Sequence, residues 1–257
     1  MKILITGGNG YIGNSLYNGL KDIYDVKKIS RNDLDLTNSR EVNDFFDKGC
    51  YDVVIHCAVK GGSRLKEDSK NVMDINLCMY YNLLQCRAHY NKLIHFGSGA
   101  EIYAQDTPYG LSKHIIRQSI LDKDNFYNLR IFGAFDENEL NTRFIKANIK
   151  RYINKEPIQI YQDKYMDFIY MPDLVKIVEY CINNNISKEI NCIYNTVCTL
   201  TRIAQIINEL DKYKVEVIVE NGTGSNYNEN NGISLPIDFI GLKQGIKEVY
   251  NKLKNEY

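Results

Sequence analysis

The sequence predicts an α/β fold: a doubly wound parallel sheet with a smaller, discontinuous C-terminal lobe. Three observations carry this expectation. Short apolar runs alternate with amphipathic stretches through the first half of the chain. That is the pattern of a parallel sheet covered by helices on both faces. Three glycines, Gly7, Gly10 and Gly13, follow the first apolar run directly. After Gly133 the alternation breaks down and the character of the chain changes.

The elements follow in order. Strands are expected at Lys2–Thr6, Val26–Ser30, Asp52–Ala58, Lys92–Gly97 and Tyr127–Phe132. Helices are expected between them, near 11–21, 39–48, 70–90 and 108–122. Thr107 and Pro108 mark the start of the last of these, as N-cap and first-turn proline. Beyond Gly133, residues 134–142 are acidic and loop-like, and Arg143–Asn154 has helical spacing. Strands are then expected at Ile158–Tyr161, Asp167–Met171 and Glu189–Thr196, with helices from Pro172 and near Thr201–Leu210. The Asn- and Gly-rich stretch 221–232 predicts a mobile loop. This divides the chain into a dinucleotide-binding domain, 1–133 plus about 161–196, and a substrate lobe, about 134–160 plus 197–257.

The bulk composition excludes several classes. The chain has 257 residues with 44% apolar and 25% charged residues, the balance of a soluble globular protein. Lys plus Arg equals Asp plus Glu at 32 each, so no global field draws nucleic acid or an anionic membrane. The seven cysteines are scattered without a C-x-x-C pair, which predicts reduced thiols and a cytoplasmic setting. The four histidines stand alone, and no metal site is expected. No apolar stretch approaches the roughly 20 residues of a membrane span, and the N-terminus has no signal-peptide pattern.

The glycine trio carries the first chemistry. In Thr6-Gly-Gly-Asn-Gly-Tyr-Ile-Gly13 one glycine makes the tight turn, one admits a pyrophosphate to the backbone, and one lets helix and sheet pack closely. The helix that follows offers free N–H groups and a positive dipole end. A strand–turn–helix context makes the motif a Rossmann-type dinucleotide site. Gly7, Gly10, Tyr11, Ile12 and Gly13, with Leu36 and Ala58, are the expected cofactor-binding residues. The end of the second strand chooses the cofactor. A carboxylate there favours NAD, whereas an arginine pairs with the 2′-phosphate of NADP. Arg31 stands at that place, so NADP(H) is expected ahead of NAD(H); Asp33 or Asp35 could instead reach the ribose.

Tyr109-Gly-Leu-Ser-Lys113 carries the second. Four residues apart on a helix, the phenol and the ammonium share a face. A phenol ordinarily ionises near pH 10, and a nearby ammonium favours its anion, which brings it into range as an acid–base group. Lys113 could also hold the nicotinamide ribose. Ser98, after the strand Lys92–Gly97, could donate to a carbonyl oxygen.

With these residues in place, the chain resembles the extended short-chain dehydrogenase/reductases. The likeness lies in Thr6–Gly13, Ile55-His-Cys-Ala58, Ser98 and Tyr109-x-x-x-Lys113. Within that family it is most similar to fucose-synthase-type reductases of nucleotide-activated 4-keto-6-deoxy sugars. Ser30–Thr37, Glu41–Phe46, Ala58-Val-Lys-Gly-Gly62 and Lys92–Ser98 carry that closer likeness. The resemblance implies NADPH, a Ser98–Tyr109–Lys113 triad, a nucleotide-sugar substrate and a homodimer joined by helices. It also implies Lys60, Arg143 and Arg151 as substrate contacts, the last on the nucleotide diphosphate. The departures are informative. The cysteine and histidine that epimerise C3 and C5 in fucose synthases correspond to Ala100 and Arg143, neither of which exchanges protons near neutrality. Met166 replaces a phosphate-binding arginine of relatives. The expected activity is 4-ketoreduction without epimerisation. A 4-epimerase with bound NAD and a non-catalytic NADP-binding sensor or scaffold are the alternatives.

Overall fold

The computed structural model describes residues 1–63, 66–229, 231–232 and 234–255. It divides into two compact units. The first is Met1–Arg130 with Val175–Ile190, and the second is Ile131–Leu174 with Asn191–Tyr257.

The first unit is built on a six-stranded sheet. Its strands are β1 (Lys2–Thr6), β2 (Asp25–Ile29), β3 (Tyr51–His56), β4 (Tyr90–Ser98), β5 (Phe126–Ile131) and β9 (Glu189–Asn191), in the order β2-β1-β3-β4-β5-β9. β1 runs parallel to both β2 and β3, and β3 parallel to β4. The order reverses between β1 and β3, the place where open α/β sheets bind ligands. Helices α1 (Tyr11–Leu20), α2 (Ser39–Phe46), α3 (Val72–Gln85) and α5 (Pro108–Leu121) connect these strands, with the short α4 (Ala100–Tyr103) after β4. Strands β1 and β3 have continuous apolar centres because both of their faces are covered. Ile3, Leu4, Ile5, Val54 and Ile55 are fully buried.

The second unit has its own core. Helices α6 (Phe144–Ile153), α8 (Leu200–Asn208) and α9 (Leu242–Lys254) pack with two short strand pairs. One pair is β6 (Ala134–Phe135) with β8 (Ile169–Tyr170), and the other is β7 (Ile158–Ile160) with β10 (Val217–Val219). Helix α7 (Met171–Asn183) begins in this unit and ends in the first.

The structure departs from the sequence reading at several points. The division places 131–133, 161–174 and 191–196 in the second unit, where β8 pairs with β6 and not with the large sheet. The expected strand Glu189–Thr196 stops at Asn191. Beyond it, Tyr194 donates its hydroxyl to Asp173 Oδ2 at 2.6 Å. The acidic stretch after Gly133 opens with β6. The expected helix 70–90 ends at Gln85 and continues as one 3₁₀ turn, Arg87–His89. Stretch 221–232 contributes bridges at Thr223 and Tyr227, and its residue 230 lies outside the described residues.

Candidate active site

A cavity of about 650 Å³ opens in the first unit at the reversal point of the sheet. Seven of the expected residues line it: Gly7, Gly10, Arg31, Asp35, Leu36, Ala58 and Lys60. Tyr11, Ile12 and Gly13 do not line it; they form the first turn of α1 beside it. Cys57, Val59, Ile75 and Met79 add apolar wall that no motif announced.

The glycine turn is a cradle with no room for side chains. Gly7 has φ +66°, and a Cβ there would stand 2.6 Å from Ala58 N. A Cβ on Gly13 would collide with Gly7 O, whereas one on Gly10 would meet only that oxygen, at 3.2 Å. Helix α1 starts at Gly10 without a side-chain cap and without an acidic residue in its first turn. Its leading N–H groups and dipole therefore suit an anion. These residues fit a dinucleotide pyrophosphate.

The residues expected to choose the cofactor differ in their settings. Asp33 Oδ2 accepts from both Ser30 N and Ser30 Oγ, at 2.8 and 2.7 Å. Asp35 Oδ1 accepts from Thr37 N and Oγ1, at 2.9 and 2.7 Å. Hydrogen bonds from Ser30 and Thr37 hold both carboxyls below their ordinary range. The Arg31 side chain is 78% exposed at the cavity rim, with only a 3.4 Å contact to Asp35. Both carboxylates are thus occupied in shaping the loop, and the arginine is the group free to turn.

Tyr109, Lys113 and Ser98 gather at the C-terminal end of β4. Thr107 caps α5 by accepting from Gly110 N at 3.1 Å, with Pro108 in the first turn. That cap places Tyr109 and Lys113 on one face, with Lys113 Nζ 5.9 Å from the centre of the Tyr109 ring. Lys113 is 4% exposed and donates to Phe96 O at 2.5 Å, two residues before Ser98. Burial pushes its ammonium down to about 8. Ser98 Oγ accepts from Ala100 N at 3.2 Å. One contact escaped the sequence reading. Gly62, at φ +73°, lies so close to Tyr109 that a Cβ would stand 2.7 Å from its Cζ. The adjacent pair Gly61-Gly62 was the signal for it.

Glu101 anchors this region. Its Oε1 accepts from Arg130 Nε at 2.5 Å and Asn128 Nδ2 at 2.9 Å, and its Oε2 from Ser98 N at 3.3 Å. Arg130 also reaches Glu189, which Arg117 holds from the other side. Desolvation raises Glu101 even so, against the pull of Arg130. With its acceptors committed, Glu101 positions the Ser98 turn. His114 Nδ1 lies 3.3 Å from Glu101 O.

The basic residues expected on substrate do not converge. Arg143 caps the N-terminus of α6, while Arg151 stands in its last turn beside Glu156 at 3.6 Å. Eight residues of helix separate them by about 12 Å. Lys146, one turn after Arg143, donates to Glu137 O and Glu139 O and is buried. Met166 is 3% exposed and lies in the second unit's core.

Among the described residues no helix is long and apolar enough to cross a membrane. None of their His, Cys, Asp and Glu side chains group as a metal site.

Comparison with known proteins agrees with this geometry. The chain is 24% identical over 240 residues to a CDP-abequose synthase of Yersinia pseudotuberculosis, covering 82% of this chain and 84% of that one. The fold matches a GDP-mannoheptose C4 reductase from Campylobacter jejuni with NADP bound, at TM-score 0.83, 20% identity and 98% coverage of each chain. It also matches a GDP-L-fucose synthetase from Naegleria fowleri bound to NADP, at TM-score 0.75 and 17% identity, covering 99% and 93%. Residues 3–196 match the family described as NAD dependent epimerase/dehydratase, and with the glycine cradle and the Tyr109–Lys113 pair inside that span, the chain belongs to this family.

Proposed function

We propose that the protein is a cytoplasmic, NADPH-dependent reductase of a nucleotide-activated 4-keto-6-deoxy sugar. The observation that carries this reading is the Tyr109–Lys113 pair at the end of β4, in the unit that also holds the glycine cradle and the exposed Arg31. The names of the relatives support it, since they include a C4 reductase with NADP bound.

NADPH supplies the hydride when bound. The chain's own groups supply the rest. Ser98 holds the C4 oxygen, and Tyr109 gives that oxygen its proton. Lys113 keeps positive charge beside the phenol. Its ammonium has three N–H groups, and Phe96 O and His95 take two, which leaves one for a ribose hydroxyl. Gly62 confines the Tyr109 ring. Arg31 takes the 2′-phosphate, and Lys60, Arg143 and Arg151 are the candidate substrate contacts. Because Arg143 and Arg151 sit at opposite ends of α6, we assign the diphosphate to one of them and not to both.

Epimerisation at C3 or C5 needs a group that exchanges protons near neutrality. Ala100 has none, a guanidinium such as that of Arg143 offers donors only, and Glu101 is committed to Arg130, Asn128 and Ser98. The test is to incubate the protein and NADPH in D₂O with a panel of nucleotide 4-keto-6-deoxy sugars and assign the products by NMR. The expected product is reduced at C4, with C3 and C5 retaining configuration and protons beyond an enzyme-free control. Interconversion of 4-hydroxy sugars without net NADPH consumption would instead identify a 4-epimerase. NADPH binding without turnover of any substrate would identify a sensor.

A further inference from the structure

Behind Lys113 lies a pair of buried imidazoles that the proposed reaction does not use. The register of β3 and β4 sets His56 opposite His95, with ring centroids 5.4 Å apart. They are 2% and 1% exposed. His95 Nε2 lies 3.4 Å from Lys113 Nζ, and His56 Nδ1 lies 2.8 Å from Thr6 Oγ1. His95 Nδ1 has no hydrogen-bond partner among the described residues.

The tautomer of His95 follows from these contacts. An ammonium has donors only, so the nitrogen facing it must offer its lone pair. Nε2 is then the acceptor, and the ring proton sits on Nδ1. That leaves a buried N–H without a partner, which costs stability. Leucine would fill the same space without that cost, so the imidazole is explained by what Nε2 does and not by packing. The line of groups is no proton path to solvent: Thr6 is fully buried in β1, and its Oγ1 accepts from the backbone N–H of Ala58 at 3.3 Å, a group that does not relay protons. It is a fixed arrangement.

We propose that His95 is a positioning residue for Lys113, its Nε2 acting with Phe96 O as a pair of acceptors that fixes the ammonium beside Tyr109. This rests on the reading of Tyr109 and Lys113 as the acid–base pair. Several groups besides Phe96 O bear on the ammonium. His95 comes from β4, His56 and Cys57 from β3 and the loop after it, Glu101 from α4, and Tyr109 from its own helix. Burial, with Lys113 nearby, pushes His56 down to about 3 and His95 well below its ordinary value, so both rings are neutral when the lysine is charged. Burial also pushes the Cys57 thiol up, so it stays protonated.

The experiment titrates Lys113 directly. Protein with ¹³C-labelled lysine side chains is followed by NMR, and the Lys113 signal is identified by its absence in Lys113→Arg. In the unmodified chain it should titrate near 8. Without an acceptor at Nε2 the ammonium loses a partner, so in His95→Leu the midpoint should fall by about one unit. Gln reaches the position of Nε2 and Asn does not, so His95→Gln should restore most of the loss and His95→Asn should not. The Asn–Gln pair gives the answer even if the Leu variant fails to fold. The alkaline limb of kcat/KM should move with the titration, since ammonium is the working form and activity is lost as pH rises through its midpoint. Equal midpoints in the unmodified, Leu and Gln proteins would overturn the proposal, as would Asn and Gln behaving alike. If Lys113 titrates as described but no keto sugar is reduced, the functional reading falls and the His95 contact stands. If turnover is found and the titration does not respond to His95, the inference falls alone.

Discussion

Tyr109 and Arg31 are the two side chains on which the reading turns, and each can be removed without disturbing much else. Tyr109→Phe keeps the ring against Gly62 and deletes only the hydroxyl. Turnover should fall by about 10²–10⁴, with NADPH affinity near normal. Steady-state kinetics with a fluorescence titration of the cofactor checks both halves, and unchanged turnover moves the chemistry elsewhere. Arg31 is exposed and makes one long contact, so its loss should leave the fold intact. Arg31→Asp replaces a phosphate partner with a like charge. NADPH affinity should drop by roughly tenfold or more relative to NADH, as a charge-assisted bond of about 1.5–3 kcal/mol implies. Affinities for the two cofactors that fall together would exclude Arg31 from the 2′-phosphate. At this scale the sequence named the candidate acid–base residues but not their settings. Tyr109-x-x-x-Lys113 is legible because a helix puts i and i+4 on one face. The contacts to Gly62, Phe96 O and His95 are not, because they come from other elements whose register no local pattern encodes.

At the scale of elements, the β1–turn–α1 unit can be tested by a single methyl group. Gly7→Ala would require a side chain at φ +66° and a Cβ 2.6 Å from the Ala58 backbone. Backbone cannot yield as a flexible side chain can, so the turn must open. We expect a loss of stability of about 2–4 kcal/mol and loss of NADPH binding, read by denaturant unfolding and titration of the cofactor. A Gly7→Ala protein with normal affinity would show that the turn does not cradle the pyrophosphate. Apart from the short α4, which no pattern announced, the main strands and helices of the first unit were legible within about five residues, since strand–helix alternation and the Thr107 cap are local signals. Helix α9 was not read from the sequence, although its signal was there. Ile246, Val249, Tyr250 and Leu253 recur at helical spacing and are all buried. The short strands β6 and β10 carried no comparable signal. Two or three residues are too few to show a period of two, and such strands exist only through their partners.

At the scale of the whole chain, each unit holds a core cluster of its own. The cavity that we assign to the cofactor is lined entirely by the first. Ile203 is fully buried in the second core. Ile203→Ala should cost about 2–5 kcal/mol in unfolding experiments while the folded protein keeps its NADPH affinity. A parallel loss of affinity would show that the cofactor site depends on the second core. The sequence by itself determined the α/β class, the glycine turn and the Tyr109–Lys113 pair, because each is a pattern of near neighbours along the chain. Tertiary structure alone decided where the units divide, that Met166 is core, and that Glu101 is held by Arg130 and Asn128. Each of these depends on which distant segments meet. The free energy of burial and ion pairing that selects such meetings is summed over the folded chain and leaves no local mark in the sequence.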